Sequence, residues 1–221
     1  MRFFGYRQSR SHGDYRKVLP APYVVVSLFG LLVAMGGIGR AASVPRSFPE
    51  LVNRAEKIFV GTVSELRNEW DGAVNAPFTY VTFSDIEMAK GEASPDGTVT
   101  LRFLGGPTPE GLTLFIPESP KFVPGEKVVV FSAGNERDVI PLVGISQGLL
   151  RVKKDPDSGS EVMASESGVP LLGLVSGQFL RNHESKEGTE RSFGSMARRL
   201  TLREMLRLIS VELQNGSRKG H

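Results

Sequence analysis

The side chains that most often carry out catalysis are scarce in this chain. Cysteine is absent, and the three histidines are His12, His183 and His221. No two of these have the spacing of metal ligands, and a serine–histidine–acid arrangement needs a histidine inside the folded part of the chain. The sequence therefore predicts no catalytic residue, no metal site and no cofactor.

Acidic residues form two local clusters, one that resembles a catalytic carboxylate pair and one that resembles a calcium-binding loop. Glu65 and Glu69 lie on one solvated face of a predicted strand, with Asp71 just beyond, and no second strand is indicated that would complete a catalytic carboxylate pair. The second cluster, at 155–161, lacks the glycine and the distal glutamate of a calcium loop. Its turn chemistry favours a hairpin that Asp155 opens and Gly159 closes.

Residues 1–41 have the order of a secretion signal. Basic and polar residues precede an apolar run of 17 residues, Tyr23 to Gly39, and small residues follow it. Cleavage after Ala41 or Ser43 satisfies the small-residue rule. An uncleaved membrane anchor is the alternative, although the run is at the short edge for spanning a bilayer. We expect an exported protein that is periplasmic, attached to the cell surface or extracellular.

Charge is distributed unevenly along the chain. Positions 1–41 hold six basic residues and one acidic residue, and the rest of the chain holds 21 basic and 23 acidic residues. The formal net charge of +3 therefore arises from the leader, and the remainder is close to neutral. A near-neutral chain lacks the basic surface that binds a phosphate backbone, so no nucleic-acid partner is expected.

Short strands separated by turn residues dominate the rest of the sequence. Hydrophobic residues make up 40% of the chain, which also has 25 glycines and 14 prolines. About seven or eight strands at roughly ten-residue spacing predict a mainly β fold, namely a small antiparallel barrel. Strands are predicted at 57–70, 78–88, 98–104, 112–116, 127–131, 139–145, 148–153 and 161–164.

Alternation within these strands predicts which side chains are buried. In 98–104 apolar residues alternate with Thr98, Thr100 and Arg102, so the two sets face opposite sides of a sheet. The residues expected in the barrel core are Val99, Leu101, Phe103, Val128, Val130, Leu142 and Leu149.

A helix is predicted on each side of the barrel sequence. Ser47 is expected to cap a short N-terminal helix, and Thr201 a C-terminal amphipathic helix. Packing of the C-terminal helix on the barrel is favoured over weak membrane-surface binding through its arginines. The expected organisation is a signal peptide at 1–41, a barrel domain at 47–164, an extension and polar linker at 165–195, the amphipathic helix at 196–214, and a disordered tail from 215.

Several segments resemble a widespread, largely uncharacterised family of secreted bacterial proteins. The similarity lies in 55–69, 79–92, 99–106, 111–131 and 142–152, and its most specific part is the run Pro117-Glu118-Ser119-Pro120-Lys121-Phe122-Val123-Pro124-Gly125-Glu126 before a buried strand. The resemblance implies an OB-type barrel like that of tissue inhibitors of metalloproteinases and netrin-like modules. It also implies genes near those of matrixin-like metalloproteases. Those inhibitors chelate zinc through an N-terminal cysteine, which this chain lacks.

The function expected from these features is that of a secreted, non-enzymatic binding module. Its partner should be another secreted protein, and the resemblance suggests that the module is a partner or inhibitor of a secreted peptidase. An envelope-associated structural protein held through the C-terminal helix is the alternative. A hydrolase is a less favoured alternative function, since 57–164 contains neither histidine nor cysteine.

Binding residues are expected at the loop-rich rim of the barrel. Trp70 is the only tryptophan and ends a predicted strand, so it is either an exposed anchor for a partner or a plug for the open end of the barrel. The candidate residues are Trp70, Asp71, Gly105, Gly106, Pro120 and Phe122.

Overall fold

A computed structural model describes residues 45–181 and 198–219. The chain divides into two units, Met1–Ala42 and Ser43–His221, and all of the described residues belong to the second. The predicted leader at 1–41, the linker at 182–195 and the three histidines lie outside the described residues. Of the helices in the described ranges, none is both long enough and apolar enough to cross a membrane.

The first helix, α1, spans Phe48–Arg54 and begins where the sequence predicts. The Ser47 N–H donates to Glu50 Oε2 at 2.8 Å, and the Glu50 N–H donates to Ser47 Oγ at 3.4 Å. These reciprocal bonds form a capping box, which satisfies N–H groups that have no partner within the helix. Phe48, Leu51 and Val52 are buried, so this short helix is held by tertiary packing.

Ten strands account for most of the remaining structure, which confirms a mainly β fold. Six of them form one antiparallel sheet in the order β3-β2-β1-β6-β7-β8, while β9 pairs with β10 and β4 with β5 in two short sheets. Among the described residues no ladder of strands links β3 to β8. The strands are β1 Lys57–Asp71, β2 Ala76–Lys90, β3 Val99–Leu104, β4 Gly106–Pro107, β5 Thr113–Leu114, β6 Lys127–Ser132, β7 Leu149–Lys154, β8 Glu161–Ser165, β9 Leu171–Val175 and β10 Gln178–Arg181.

Each face of the six-stranded sheet carries a buried apolar cluster. Successive side chains of β1 point to opposite faces, so Phe59 and Val63 enter one apolar cluster while Ile58 and Val60 enter another. We call the first the sheet core, and it includes all seven of the predicted core residues, which confirms that prediction. The sheet core consists of Phe59, Val63, Val81, Phe83, Val99, Leu101, Phe103, Val128, Val130, Leu142 and Leu149.

The second cluster, the helix core, lies between the other face of the sheet and the two helices. The second helix, α2, spans Leu202–Lys219 and contributes Met205 and Ile209, both fully buried. The predicted packing of this helix is therefore confirmed. The buried members of the helix core are Phe48, Leu51, Val52, Ala55, Ile58, Val60, Val129, Phe131, Val143, Leu150, Val152, Met163, Leu171, Leu200, Leu202, Met205 and Ile209.

α2 begins directly after the predicted cap, Thr201, and not at 196 as the predicted helix boundary has it, and it also ends beyond the predicted boundary. The Glu204 N–H donates to Thr201 Oγ1 at 3.3 Å, and the Thr201 N–H donates to Glu204 Oε2 at 3.0 Å. The helix continues to Lys219, so the expected stop at 214 and disordered tail from 215 are wrong for 215–219. Gly216 lies against Asn53 of α1, and this tertiary contact outweighs the helix-stopping tendency of glycine.

The predicted strand map needs correction at 139–145 and from 165. The strand expected at 139–145 is absent, because Pro141 has no N–H to donate and Gly144 adopts a φ of 66°. The chain there makes a single bridge, Ser132 to Leu142, followed by a 3₁₀ turn at Ile145–Gly148. The expected extension from 165 instead contains the hairpin of β9 and β10.

Candidate functional site: the binding rim

Two glycines place a short hairpin against the end of β1 and the start of β2. Gly105 and Gly106 have φ values of 117° and 137°, which disfavour residues with a side chain. The Gly105 N–H donates to the Pro77 carbonyl at 2.9 Å, and Thr79 Oγ1 donates to the Gly105 carbonyl at 2.8 Å. A Cβ on Gly106 would stand 3.1 Å from Asn68 Oδ1, so glycine permits this close approach.

The hairpin that follows these glycines carries the most exposed apolar residues of the rim. Gly106 pairs with Leu114, and the Thr108 N–H donates to the Leu112 carbonyl at 2.8 Å. The exposed fractions are 69% for Leu112, 38% for Leu114 and 67% for Phe115. Large apolar side chains this close together and this exposed are typical of a surface that another molecule covers. We call 105–116 the rim hairpin.

Gly105 and Gly106 of the rim hairpin were predicted as binding residues, but its exposed apolar residues Leu112, Leu114 and Phe115 were not. The sequence predicted a strand at 112–116, and an alternating apolar strand is normally expected to bury one face. Only Thr113–Leu114 is a strand, and it pairs with β4 rather than with the six-stranded sheet. The flanking Gly111 and Pro117 were the available signal, since glycine and proline both disfavour a continuous strand.

The predicted residues Trp70 and Asp71 lie at the turn that joins β1 to β2. Asp71 Oδ1 accepts hydrogen bonds from the Ala73 N–H at 2.9 Å and the Val74 N–H at 3.4 Å, so this carboxylate stabilises the turn. Trp70 pairs with Pro77 across the hairpin. Its side chain is partly exposed and belongs to neither core.

Pro120 and Phe122 lie in the loop that connects the rim hairpin to β6. Pro120 is buried, and the ring of Phe122 packs 5.1 Å from that of Phe103 and 5.8 Å from that of Phe83. Phe122 therefore fastens this loop onto the sheet core. The structure brings Gly105, Gly106 and the end of the β1–β2 hairpin together, while Phe122 contributes by holding the loop.

Two arginines beside the rim are paired or stacked. Arg67 forms an ion pair with Glu69 and lies 4.5 Å above the ring of Tyr80. Hydrogen bonding to Glu69 raises the pKa of the Arg67 guanidinium above its ordinary value. Arg102 lies 4.3 Å above the ring of Phe78. These contacts place both cations over aromatic rings, and the exposed apolar residues of the hairpin remain the distinctive feature of the surface.

The acidic cluster at 155–161 forms the hairpin that its turn chemistry predicts. Asp155 Oδ1 accepts from the Asp157 N–H at 2.9 Å and the Ser158 N–H at 3.4 Å. The Gly159 N–H donates to the Asp155 carbonyl at 2.8 Å, with Gly159 at a φ of 67°. Asp155 also pairs with Arg199 at 3.1 Å, so its carboxylate links the turn to the segment before α2.

Within the described ranges, no group of three or more histidine, cysteine, aspartate or glutamate side chains is placed to hold a metal ion. Comparison of the chain with protein-family models, curated proteins and solved structures found no match.

Proposed function

We propose that the protein is an exported, non-enzymatic binding module that recognises another secreted protein through the rim hairpin. The observation that carries this proposal is the exposure of Leu112 and Phe115 on a hairpin whose backbone is fixed by Gly105 and Gly106. A preformed apolar surface loses little conformational entropy on binding, because its backbone is already ordered. Trp70, partly exposed at the neighbouring turn, adds an aromatic side chain of the kind that often dominates binding energy.

The proposal includes an OB-like barrel as the scaffold. It is supported by the contacts made to the edge of β3 that does not pair with β2. At this edge the Leu104 N–H donates to the Val139 carbonyl at 2.9 Å. Asn135 makes two further bonds to β3. The segment at 133–139 thereby hydrogen-bonds to the edge of β3 that has no neighbouring strand in the described part of the chain. OB-type barrels commonly bind their ligands through loops on one side, which is consistent with a binding role for the rim.

A secreted peptidase is the proposed partner class, on the basis of the family resemblance described above. The proposal does not include inhibition through an N-terminal cysteine, because the chain has none. The rim hairpin would instead contact the peptidase surface through apolar side chains. Burial of Met205 and Ile209 in the helix core favours this function over attachment to the envelope. The apolar face of α2 packs inside the protein, where it cannot contact a membrane.

The proposal can be tested by capture from the culture supernatant of the source cells. The full chain serves as bait, and the bound proteins are identified by mass spectrometry. We expect a peptidase to be enriched by the wild type and lost from Leu112→Asp/Phe115→Asp. The matched control is Val175→Asp, which introduces a charge at a residue that is 58% exposed in β9.

Two results would contradict the proposal. Equal capture of the peptidase by the rim variant and the wild type would show that the rim hairpin is not the binding surface. Turnover of any member of a broad substrate panel by the purified protein would overturn the non-enzymatic function.

A further inference from the structure

A cavity of about 330 Å³ lies away from the rim, beside the start of α1. Its apolar lining includes Leu51, Leu149 and Leu171, which are buried, and Phe179 of β10, which is partly buried. The volume falls at the lower end of ordinary ligand sites, roughly 300–1,000 Å³. It suits the last one or two residues of a peptide better than a long segment.

Two arginines supply positive charge to the cavity. Arg46 and Arg181 both line it, and neither forms a salt bridge to an acidic side chain within 45–181 or 198–219. Glu166 is the acidic residue of the lining, and it pairs with Arg151 at 3.1 Å. Because the lining holds two arginines and one carboxylate, the cavity retains a net positive charge that favours an anion.

Arg46 is held in place by its neighbours. The Arg46 N–H donates to Gln147 Oε1 at 2.7 Å. Its side-chain stem packs so closely on Gly144 that a Cβ there would lie 3.0 Å from Arg46 Cδ. Because its backbone and side-chain stem are restrained, Arg46 loses less side-chain entropy on binding a carboxylate than an unrestrained arginine does.

The remaining polar groups of the lining distinguish between anionic ligands. Gln178 and Ser146 lie beside the apolar residues, whereas Gln147, Ser165 and Ser167 also line the cavity but make hydrogen bonds within the protein. Amide and hydroxyl groups can hydrogen-bond to the peptide groups of a polypeptide. The alkyl chain of a fatty acid has no group that could use them.

We propose that this cavity binds the C-terminal end of a peptide, with its carboxylate at Arg46 and Arg181 and an apolar terminal side chain against Phe179. This site is separate from the rim hairpin, and the inference does not depend on the proposed function.

Isothermal titration calorimetry of the full chain with acetyl-glycyl-alanyl-leucine tests the inference. We expect measurable binding of the free acid at millimolar concentration and at least about tenfold weaker binding of its C-terminal amide, because the amide lacks the charged partner of the arginines. Arg46→Gln and Arg181→Gln should each reduce the affinity for the acid and bring the affinities for acid and amide closer together.

Arg137→Gln is the matched control, because Arg137 is an exposed arginine that pairs with Glu56 and does not line the cavity. It should bind the acid as the wild type does, and melting curves should show that all three variants remain folded. Equal binding of acid and amide would overturn the inference, as would no binding of the acid. Tighter binding of decanoate than of the peptide acid would also overturn it, in favour of a fatty-acid site. The capture experiment tests the rim hairpin and not this cavity, so loss of peptidase capture in the rim variant would not change the outcome of these titrations.

Discussion

The carboxamide of Asn135 pairs with the backbone of Arg102 and Thr100 as a neighbouring strand would. Asn135 Oδ1 accepts from the Arg102 N–H at 2.9 Å, and Asn135 Nδ2 donates to the Thr100 carbonyl at 3.0 Å. Both atoms of one amide thus satisfy the outer edge of β3. An edge strand with free N–H and C=O groups is a template for association with other chains, so this side chain protects the sheet.

Asn135→Ala is expected to expose that edge. Loss of the two hydrogen bonds should lower the free energy of unfolding by about 1–3 kcal/mol and increase self-association. Denaturant unfolding and sedimentation velocity would measure the two effects. Asn215→Ala, at an exposed position of α2, is the control and should change neither. A fully monomeric, equally stable Asn135→Ala would show that the amide does not protect the edge.

Buried and exposed positions of the sheet should differ sharply in their tolerance to substitution. Val130 is completely buried in the sheet core, whereas Thr100 points outward. Val130→Ala should therefore lower the free energy of unfolding by about 2 kcal/mol through lost burial and a residual cavity, and Thr100→Ala by less than about 0.5 kcal/mol. Equal losses in denaturant unfolding would mean that the strand faces are assigned incorrectly.

A largely buried ion pair fastens the loop before β6 to β7. Arg151 pairs with Glu126, and their side chains are only 12% and 11% exposed. Arg151 Nη2 also donates to the Lys121 carbonyl at 2.8 Å. Arg151→Met should lower the free energy of unfolding by about 3–5 kcal/mol, because it leaves the Glu126 carboxylate buried without its main partner.

The matched control for this substitution is the double variant Arg151→Met/Glu126→Gln. Removing the isolated charge should recover part of the stability lost in Arg151→Met, as measured by denaturant unfolding. A double variant that is less stable than the single one would show that the loss comes from the packing of Arg151 and not from the unpaired carboxylate.

Local patterns in the sequence were sufficient to predict much of the fold. The alternation in β3 identified its buried face, and the caps at Ser47 and Thr201 located the starts of both helices. The hairpin of β9 and β10 was missed although its signal was present, since Ser176-Gly177 separates two short apolar runs and both residues adopt positive φ.

The rim was less predictable, because exposure is a tertiary property. The glycines at 105 and 106 indicated a bend, but they did not indicate that this bend would pack against Asn68 and Thr79. Phe122 was expected at a binding surface, and its ring packs beside Phe83 and Phe103, which are distant in sequence. Exposure of Phe115 depends on the absence of such a partner in the described part of the chain, which local patterns do not encode.

The predicted leader can be tested independently of the folded unit. The order of basic, apolar and small residues in 1–41 predicts cleavage, so the exported protein should begin at Ala42 or Val44. N-terminal sequencing of the protein from the envelope and the medium would determine its first residue. Recovery of intact Met1 from both fractions would mean that the apolar run is retained as an anchor.

The turn between β7 and β8 should make stability depend on pH in the acid range. The pKa of the Asp155 carboxyl is held below its ordinary value, chiefly because the Asp157 N–H donates a hydrogen bond to the carboxylate. The Ser158 N–H and the positive charge of Arg199 act in the same direction. A carboxyl whose pKa is lower in the folded state stabilises that state above its unfolded pKa, about 3.9. This stabilisation disappears as the pH falls through the folded pKa.

Asp155→Asn should therefore reduce the loss of stability on acidification. Urea unfolding at a series of pH values from about 6 down to about 2 should show a shallower decline for the variant than for the wild type. Asp157→Asn is the control, because it removes a charge from the same turn but keeps the carboxylate that accepts the two N–H groups. If Asp155→Asn and the wild type decline in parallel, the hydrogen bonds to Asp155 do not couple protonation to folding.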